Sequence, residues 1–162
     1  MGGLILNGGF ELVYCSDEYG QLLPYFWKLA VPWFFRNYIS DVAYSGKYTL
    51  FLEAYHDRTI GYTTWASQMI NYHSDVPLKI YRYFNTGGWD GGYILIEVTV
   101  GGTVYLYWIP VESEQRGEWF RFDVDIPAGT IEKVLIECHC RGAEPVESFV
   151  TLIDEIHLNP VK

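Results

Sequence analysis

The sequence has little positive charge, few cysteines and no long apolar run, and these shortages exclude several classes of protein. Lysine and arginine number 11 against 20 aspartates and glutamates, which gives a formal net charge of −9. This balance argues against nucleic acid as a partner, because phosphates are bound by basic surfaces. No apolar stretch approaches the ~20 residues of a membrane-spanning helix, so we expect no membrane partner. The acidity permits a bound cation or a neutral glycan, and solubility alone also explains it.

Cysteine occurs only three times, at Cys15, Cys138 and Cys140, so at least one thiol is unpaired. In a strand, Cys138 and Cys140 point to the same face, where a bond between them is geometrically awkward. A disulfide from Cys15 to either one stays open. His139 faces the other way, and no second Cys/His pair follows at zinc spacing, which argues against a zinc site.

Motifs of catalysis and secretion are also missing. The chain has no nucleophile elbow, no glycine-rich phosphate loop and no zinc-protease helix. The carboxylates of Glu97 and Glu137 would cleave glycosides only at ~5–10 Å separation with opposed pKa values, which the sequence does not show. We therefore expect a non-catalytic protein. The opening Met1-Gly2-Gly3 lacks the charged and apolar lead of a signal peptide, so we expect none in this chain.

Strand patterns dominate, and helical periodicity is scarce. Ile94, Ile96, Val98 and Val100 alternate with Tyr93, Leu95, Glu97 and Thr99, and Gly101-Gly102 then predicts a tight hairpin. The segment 85–92 carries four glycines and predicts a loop. About nine or ten short strands separated by turn residues predict an all-β fold, an antiparallel two-sheet β-sandwich, as one domain over residues 1–162.

Three segments resemble a known family when taken in order: Asn7-Gly8-Gly9-Phe10-Glu11, Ser45-Gly46-Lys47-Tyr48-Thr49-Leu50 and the terminal strand 150–158. They are similar to the carbohydrate-binding modules appended to xylanases and glucanases. The resemblance implies a galactose-binding-like jelly roll that recognises a poly- or oligosaccharide without catalysis. It also implies an extracellular or cell-surface location and, in a full-length protein, a covalently linked catalytic domain.

The same resemblance implies one structural Ca²⁺. Glu11 and Asp154 would supply carboxylates, and Gly9 and Lys47 would supply backbone carbonyls. A jelly roll brings its first and last strands together, and an all-oxygen donor set suits calcium. The alternative is that Glu11 and Asp154 only accept backbone N–H bonds at strand ends.

Aromatic and charged side chains on non-core strand faces are the candidates for sugar binding, because rings pack on the apolar face of a sugar and charged groups bind its hydroxyls. The candidates are Arg82, Tyr93, Glu97, Tyr105, Tyr107, Arg121, Glu137 and His139, with Trp89 as the exposed aromatic of the glycine-rich loop. An equal alternative is cross-strand salt pairing, such as Arg121 with Glu97 or Glu137.

The second functional alternative is a non-sugar interaction domain of a cell-surface or virion assembly. Aromatic residues make up 18% of the chain, and a surplus of them could form an oligomerisation patch. Trp27 and Trp33 lie in the aromatic block that would provide it, and an equal alternative is that this block is a loop folded over the core.

Overall fold

The computed structural model describes residues 5–15, 22–30, 38–59, 61–88, 92–110, 117–140 and 146–160. These residues form strands, turns and loops, and none of them is helical. The strands are β1 Val13–Cys15, β2 Leu22–Pro24, β3 Lys28–Leu29, β4 Ile39–Ser40, β5 Thr49–His56, β6 Gly61–Tyr62, β7 Thr64–Ser74, β8 Leu78–Gly88, β9 Gly92–Val100, β10 Thr103–Pro110, β11 Trp119–Ile126, β12 Gly129–Cys140 and β13 Glu147–Pro160. Within these ranges no helix is long and apolar enough to cross a membrane.

Two antiparallel sheets pack face to face, which confirms the predicted jelly-roll sandwich. Sheet I has the strand order β10-β9-β12-β7-β3. Sheet II has the order β11-β8-β13-β5-β4, and β6 also pairs with β5. β1 and β2 form a separate two-stranded ribbon.

Alternating apolar residues from both sheets fill the space between them. Ile94, Ile96 and Val98 of β9 and Leu50 and Leu52 of β5 are fully buried. Each such side chain contributes about 1.5–3 kcal/mol relative to an exposed one. The predicted hairpin is also confirmed, because the two residues between β9 and β10 are glycines in the left-handed region, with φ of +56° and +80°.

The first half of the glycine-rich segment, residues 85–88, is strand where the sequence predicts loop. Asn85–Gly88 belongs to β8, and Asn85 pairs with Leu152 of β13 on one side and Trp119 of β11 on the other. Beyond Asn85, pairing with β13 alone holds Gly87 and Gly88 extended, opposite Val150 and Phe149. Trp89, the predicted exposed aromatic, lies outside the described residues.

Among the residues that the structure describes, none of the three cysteines forms a disulfide. Cys138 is buried in the core, and burial raises the pKa of its thiol well above the ordinary value. Cys140 is half-buried and packs against the same core, while Cys15 is exposed. The sequence prediction that Cys138 and Cys140 share a face is therefore confirmed.

Candidate functional site

The outer face of sheet I is built by the register of its central strands. Tyr93 of β9 pairs with His139 of β12, and Leu95 of β9 pairs with both Trp108 of β10 and Glu137 of β12. Directly paired residues in antiparallel strands project to the same side of the sheet. Since Ile94 and Ile96 point into the core, all of these residues lie on the side facing away from sheet II.

Three rings meet on this face, and we call Tyr93, Trp108 and His139 the ring cluster. The centroids of Tyr93 and Trp108 lie 5.3 Å apart in an edge-on arrangement at 85°. Tyr93 and His139 are stacked at 5.9 Å, and Trp108 meets His139 at 5.5 Å. These separations are those of favourable aromatic pairs. The indole remains 52% exposed, so the cluster presents an open apolar ring surface.

A carboxylate lies beside the ring cluster. Glu137 Oε1 is 2.9 Å from His139 Nε2, and both side chains are about three-quarters or more buried, at 20% and 24% exposure. Glu97, two residues along β9 from Leu95, is half-buried on the same face. An ionised carboxylate only accepts hydrogen bonds, so these groups suit hydroxyl donors.

The structure reverses the predicted orientation of β10. Tyr105 and Tyr107 pair with Val98 and Ile96, so they point away from the ring cluster. The Tyr107 hydroxyl donates to the Asp125 carbonyl of sheet II at 2.8 Å, and burial is the main cause that raises the pKa of Tyr107. Tyr107 therefore bridges the two sheets and does not lie on the outer face.

The side chains that β10 does present outward are apolar. Val104, Leu106 and Trp108 are 54%, 51% and 52% exposed. Sequence reasoning missed them because residues 104–109 are apolar or aromatic at every position, which gives no polar face to identify. The strand pairing identifies them instead. Ile109 pairs with the core residue Ile94, and this one pair fixes which side of the sheet every residue of β10 faces.

Arg82 is a core residue, not a surface ligand group. It is fully buried on the inner side of β8, where it pairs with Phe122. Its Nη1 donates to the Phe122 carbonyl at 2.5 Å, and its guanidinium lies 5.0 Å from the Phe122 ring centroid. Burial lowers the pKa of Arg82 to about 9, and the negative charge of Asp123 partly opposes that shift.

Arg121 lies on the outer face of sheet II, across the sandwich from the ring cluster. It makes a two-pronged ion pair with Asp123 at 2.9 and 3.2 Å. The predicted pairing of Arg121 with Glu97 or Glu137 is wrong, because those carboxylates lie on the outer face of sheet I. Of the predicted sugar-binding set, the structure brings together Tyr93, Glu97, Glu137 and His139.

Two of the predicted calcium residues, Glu11 and Asp154, both contact the turn 44–48, which contains the third, Lys47. Glu11 Oε1 accepts the N–H groups of Lys47 and Tyr48 at 2.8 and 2.9 Å. Gly46, which directly precedes Lys47, has a φ of +71°, and a Cβ at this position would lie 2.3 Å from Glu11 Oε1. The turn therefore requires glycine at position 46.

Asp154 anchors the other side of this turn. Its Oδ2 accepts the N–H groups of Tyr44 and Ser45, both at 3.0 Å, and its Oδ1 accepts that of Glu155 at 2.8 Å. Burial raises the pKa of Asp154 to about 6, although the N–H bonds act in the opposite direction. These contacts match the alternative in which the carboxylates accept backbone N–H bonds.

The turn also carries oxygen donors of the kind that the predicted calcium site needs. Carboxylate oxygens of Glu11 and Asp154 and main-chain carbonyls are hard donors, which calcium prefers. Gly9 adjoins the Glu155 carboxylate, since a Cβ on Gly9 would lie 3.1 Å from Glu155 Oε1. The described residues contain no cluster of three or more His, Cys, Asp or Glu side chains arranged for a metal. Calcium therefore stays a prediction.

The fold is that of carbohydrate-binding modules. The structure is similar to TmCBM61 in complex with β-1,4-galactotriose, with a TM-score of 0.62 and 16% identity over 99% of this chain and 100% of that chain. It is also similar to the xylan-binding CBM22-1 of Paenibacillus barcinonensis Xyn10C, with a TM-score of 0.50 and 13% identity over 99% and 92%.

A third structure with this fold is the K1 cleaved adhesin domain of Lys-gingipain from Porphyromonas gingivalis W83. Its TM-score is 0.58 at 14% identity, over 86% of this chain and 94% of that one. No family model and no curated protein matches the sequence. At identities this low, the structural matches establish the shared sandwich fold alone, and function has to be argued from the site.

Proposed function

We propose that this protein is a non-catalytic carbohydrate-binding module that binds a poly- or oligosaccharide on the outer face of sheet I. The observation that carries the proposal is the ring cluster, in which an exposed indole lies against a tyrosine and a histidine paired with Glu137. Rings and carboxylates on one rigid sheet match the two kinds of surface that a pyranose presents.

The exposure of each side chain indicates which part of a sugar it contacts. Trp108 is the most exposed ring of the cluster, so it packs on the apolar C–H face of a sugar. Glu137 and Glu97 then accept hydrogen bonds from sugar hydroxyls. The Glu137 side chain is only 20% exposed and its Oε1 lies 2.9 Å from His139 Nε2, so its surroundings restrict the carboxylate before the ligand arrives, which reduces the entropy lost on binding.

The solved neighbours support a glycan as the ligand. TmCBM61 was solved with β-1,4-galactotriose, and CBM22-1 is a xylan-binding domain. The test is affinity electrophoresis of the purified protein through gels containing galactan, xylan, mannan, β-glucan or polygalacturonate. At least one polysaccharide should retard the protein, and free migration in all five would contradict the proposal.

We also propose that Ca²⁺ binds at the turn 44–48, held by the carboxylates of Glu11 and Asp154 and the carbonyls of Gly9 and Lys47. The ion would join the first and last segments of the fold. The support is the convergence of both carboxylates on this one turn and the burial of Asp154.

An interaction domain is the second candidate function. Val104, Leu106 and Trp108 form an exposed apolar row on β10, which is an edge strand of sheet I. A protein partner or a second copy would cover such a row, and an adhesin domain has this fold. Size-exclusion chromatography with light scattering distinguishes the two candidates. Wild type that forms oligomers, loses them on Leu106→Lys and binds no glycan would favour the interaction domain.

A further inference from the structure

A pocket opens on the outer face of sheet I at the end opposite the ring cluster. Its volume is about 400 Å³, and its walls include Leu6, Phe26, Lys28, Ser67, Met69 and Lys133. The register places it on the same face as Glu97, since Leu135 pairs with both Glu97 and Ser67, and Ser67 pairs with Lys28. From His139 to Lys133 along β12 is a distance of ~20 Å at ~3.3 Å per residue.

The pocket carries two positive charges and no negative one. Lys28 and Lys133 line it, and no aspartate or glutamate does. Among the described residues, no ion pair joins either lysine to a carboxylate. This is unusual on a chain that has 20 acidic residues and 11 basic ones. Ammonium groups on flexible stems bind anions as point charges, so an anionic group in the pocket would compensate both lysines.

The pocket walls are held in place by a buried amide. Gln68, only 6% exposed, accepts the Leu6 N–H through Oε1 at 2.8 Å. Its Nε2 donates to the carbonyls of Leu6 at 2.9 Å and Phe26 at 3.3 Å. One side chain of β7 therefore fixes both loop segments that line the pocket.

Phe26 shows that this wall is held in a strained conformation. Its φ is +70°, in the left-handed region that a bulky side chain avoids at a cost of about 1–3 kcal/mol. The strained backbone leaves the phenyl ring 57% exposed at the pocket. An exposed ring beside two lysines offers an apolar platform next to positive charge.

We propose that this pocket binds the anionic group of an acidic sugar residue, so that the glycan bound by sheet I is an acidic polysaccharide. The inference rests on the proposed carbohydrate-binding function. Phe26 and Met69 pack on the sugar ring, and Lys28 and Lys133 pair with its negative group. A uronic acid carboxylate and a sulfate ester share this chemistry.

The net charge of −9 does not prevent such binding. Charges farther than ~8 Å away are largely screened at physiological ionic strength, so the two lysines in contact with the anion dominate. Screening also predicts a salt dependence. The affinity for the acidic glycan should fall as the salt concentration is raised, while the affinity for a neutral glycan should not change.

The experiment compares binding of an oligogalacturonate, its carboxyl-reduced neutral counterpart and a sulfated galactan by isothermal titration calorimetry. The variants are Lys28→Gln/Lys133→Gln and, as a matched control, Lys79→Gln, whose lysine instead pairs with Asp125 on sheet II. Wild type should bind at least one charged glycan about fivefold or more tightly than the neutral one, the effect expected of partly exposed ion pairs. The galacturonate and sulfate arms identify which anion is preferred.

The double variant should lose this preference and keep its affinity for the neutral glycan, while Lys79→Gln should behave as wild type. Equal wild-type affinity for charged and neutral glycans, or a preference that survives the double substitution, would overturn the inference and leave carbohydrate binding standing. If no glycan binds, charged or neutral, both the inference and the proposed function fail.

Discussion

The indole of Trp108 and the imidazole of His139 lie 5.5 Å apart at 61°, on two strands that are separated by β9. Tyr93 on β9 contacts both of them, so one ring comes from each of three adjacent strands. Because strand pairing fixes all three backbones, the rings form a surface whose shape exists before a ligand binds. The apolar row of β10 continues this surface to the sheet edge.

Replacement of Arg82 by methionine should leave glycan binding unchanged. The guanidinium is buried between the sheets, and a buried charge can often be exchanged for an apolar side chain of similar size at little cost. We expect the free energy of unfolding to change by less than about 2 kcal/mol in either direction. Urea denaturation and a binding titration measure both effects. A folded Arg82→Met protein that no longer binds glycan would show that Arg82 acts on the ligand.

Replacement of Gly46 by alanine should destabilise the fold more than the same change at Gly102. Both glycines have positive φ, but a Cβ at 46 would lie 2.3 Å from Glu11 Oε1, whereas a Cβ at 102 meets nothing within 4 Å. Gly102→Ala therefore measures the backbone cost alone, about 1 kcal/mol. Gly46→Ala should cost an additional ~1–3 kcal/mol, because Glu11 must move and release two N–H groups. Equal losses in urea denaturation would contradict the contact.

Much of the fold could be predicted because strand alternation has a strict period of two. Where a strand has one apolar face, as in Ile94 to Val100, sequence alone identifies the side that enters the core. The junction of Glu11 with the turn at Gly46 was also predictable, through the resemblance of the opening and closing segments. The N–H bonding at that junction was the alternative that the sequence left open, because a carboxylate near a turn suits both a cation and backbone N–H groups.

The candidate site was predicted only in part, for physical reasons that differ between residues. Tyr105 and Tyr107 were misplaced because β10 has no polar face and its orientation is set by pairing with β9. Arg82 was misplaced because an arginine in a strand normally lies outside, and only the register with Phe122 places it inside. The pocket at Lys28 and Lys133 depends on residues from four distant segments, two of which Gln68 holds, and no local pattern reveals this.

Calcium should raise the melting temperature of the metal-free protein. The ligands come from both ends of the chain, so the ion binds the folded state and stabilises it by about 2.7 kcal/mol at a hundredfold excess over its dissociation constant. Differential scanning calorimetry with calcium and with chelator measures the shift, and Asp154→Asn should remove it. Identical melting of metal-free wild type with and without calcium would rule out the site.

In chelator, wild type should gain stability relative to Asp154→Asn as the pH falls from 7 to 4. The pKa of Asp154 is raised from 3.8 to about 6, chiefly by burial, so the folded state binds this proton more tightly than the unfolded state. The stabilising contribution is complete below pH 3.8 and is lost as the pH rises through about 6. Its size is at most about 3 kcal/mol. Urea denaturation across this range tests it, and a relative loss on acidification would show that the carboxylate is held ionised.

The most direct test of carbohydrate binding by sheet I compares Trp108→Ala with Tyr105→Ala, using isothermal titration calorimetry with the glycan that retards wild type most. Both are partly exposed aromatic residues of β10, and they point to opposite sides of the sheet. Trp108→Ala should weaken binding about tenfold or more, as loss of a central aromatic contact does. Tyr105→Ala should bind within about twofold of wild type, and circular dichroism should show both variants folded. Wild-type affinity in Trp108→Ala, or loss of binding in Tyr105→Ala alone, would contradict the proposed binding face.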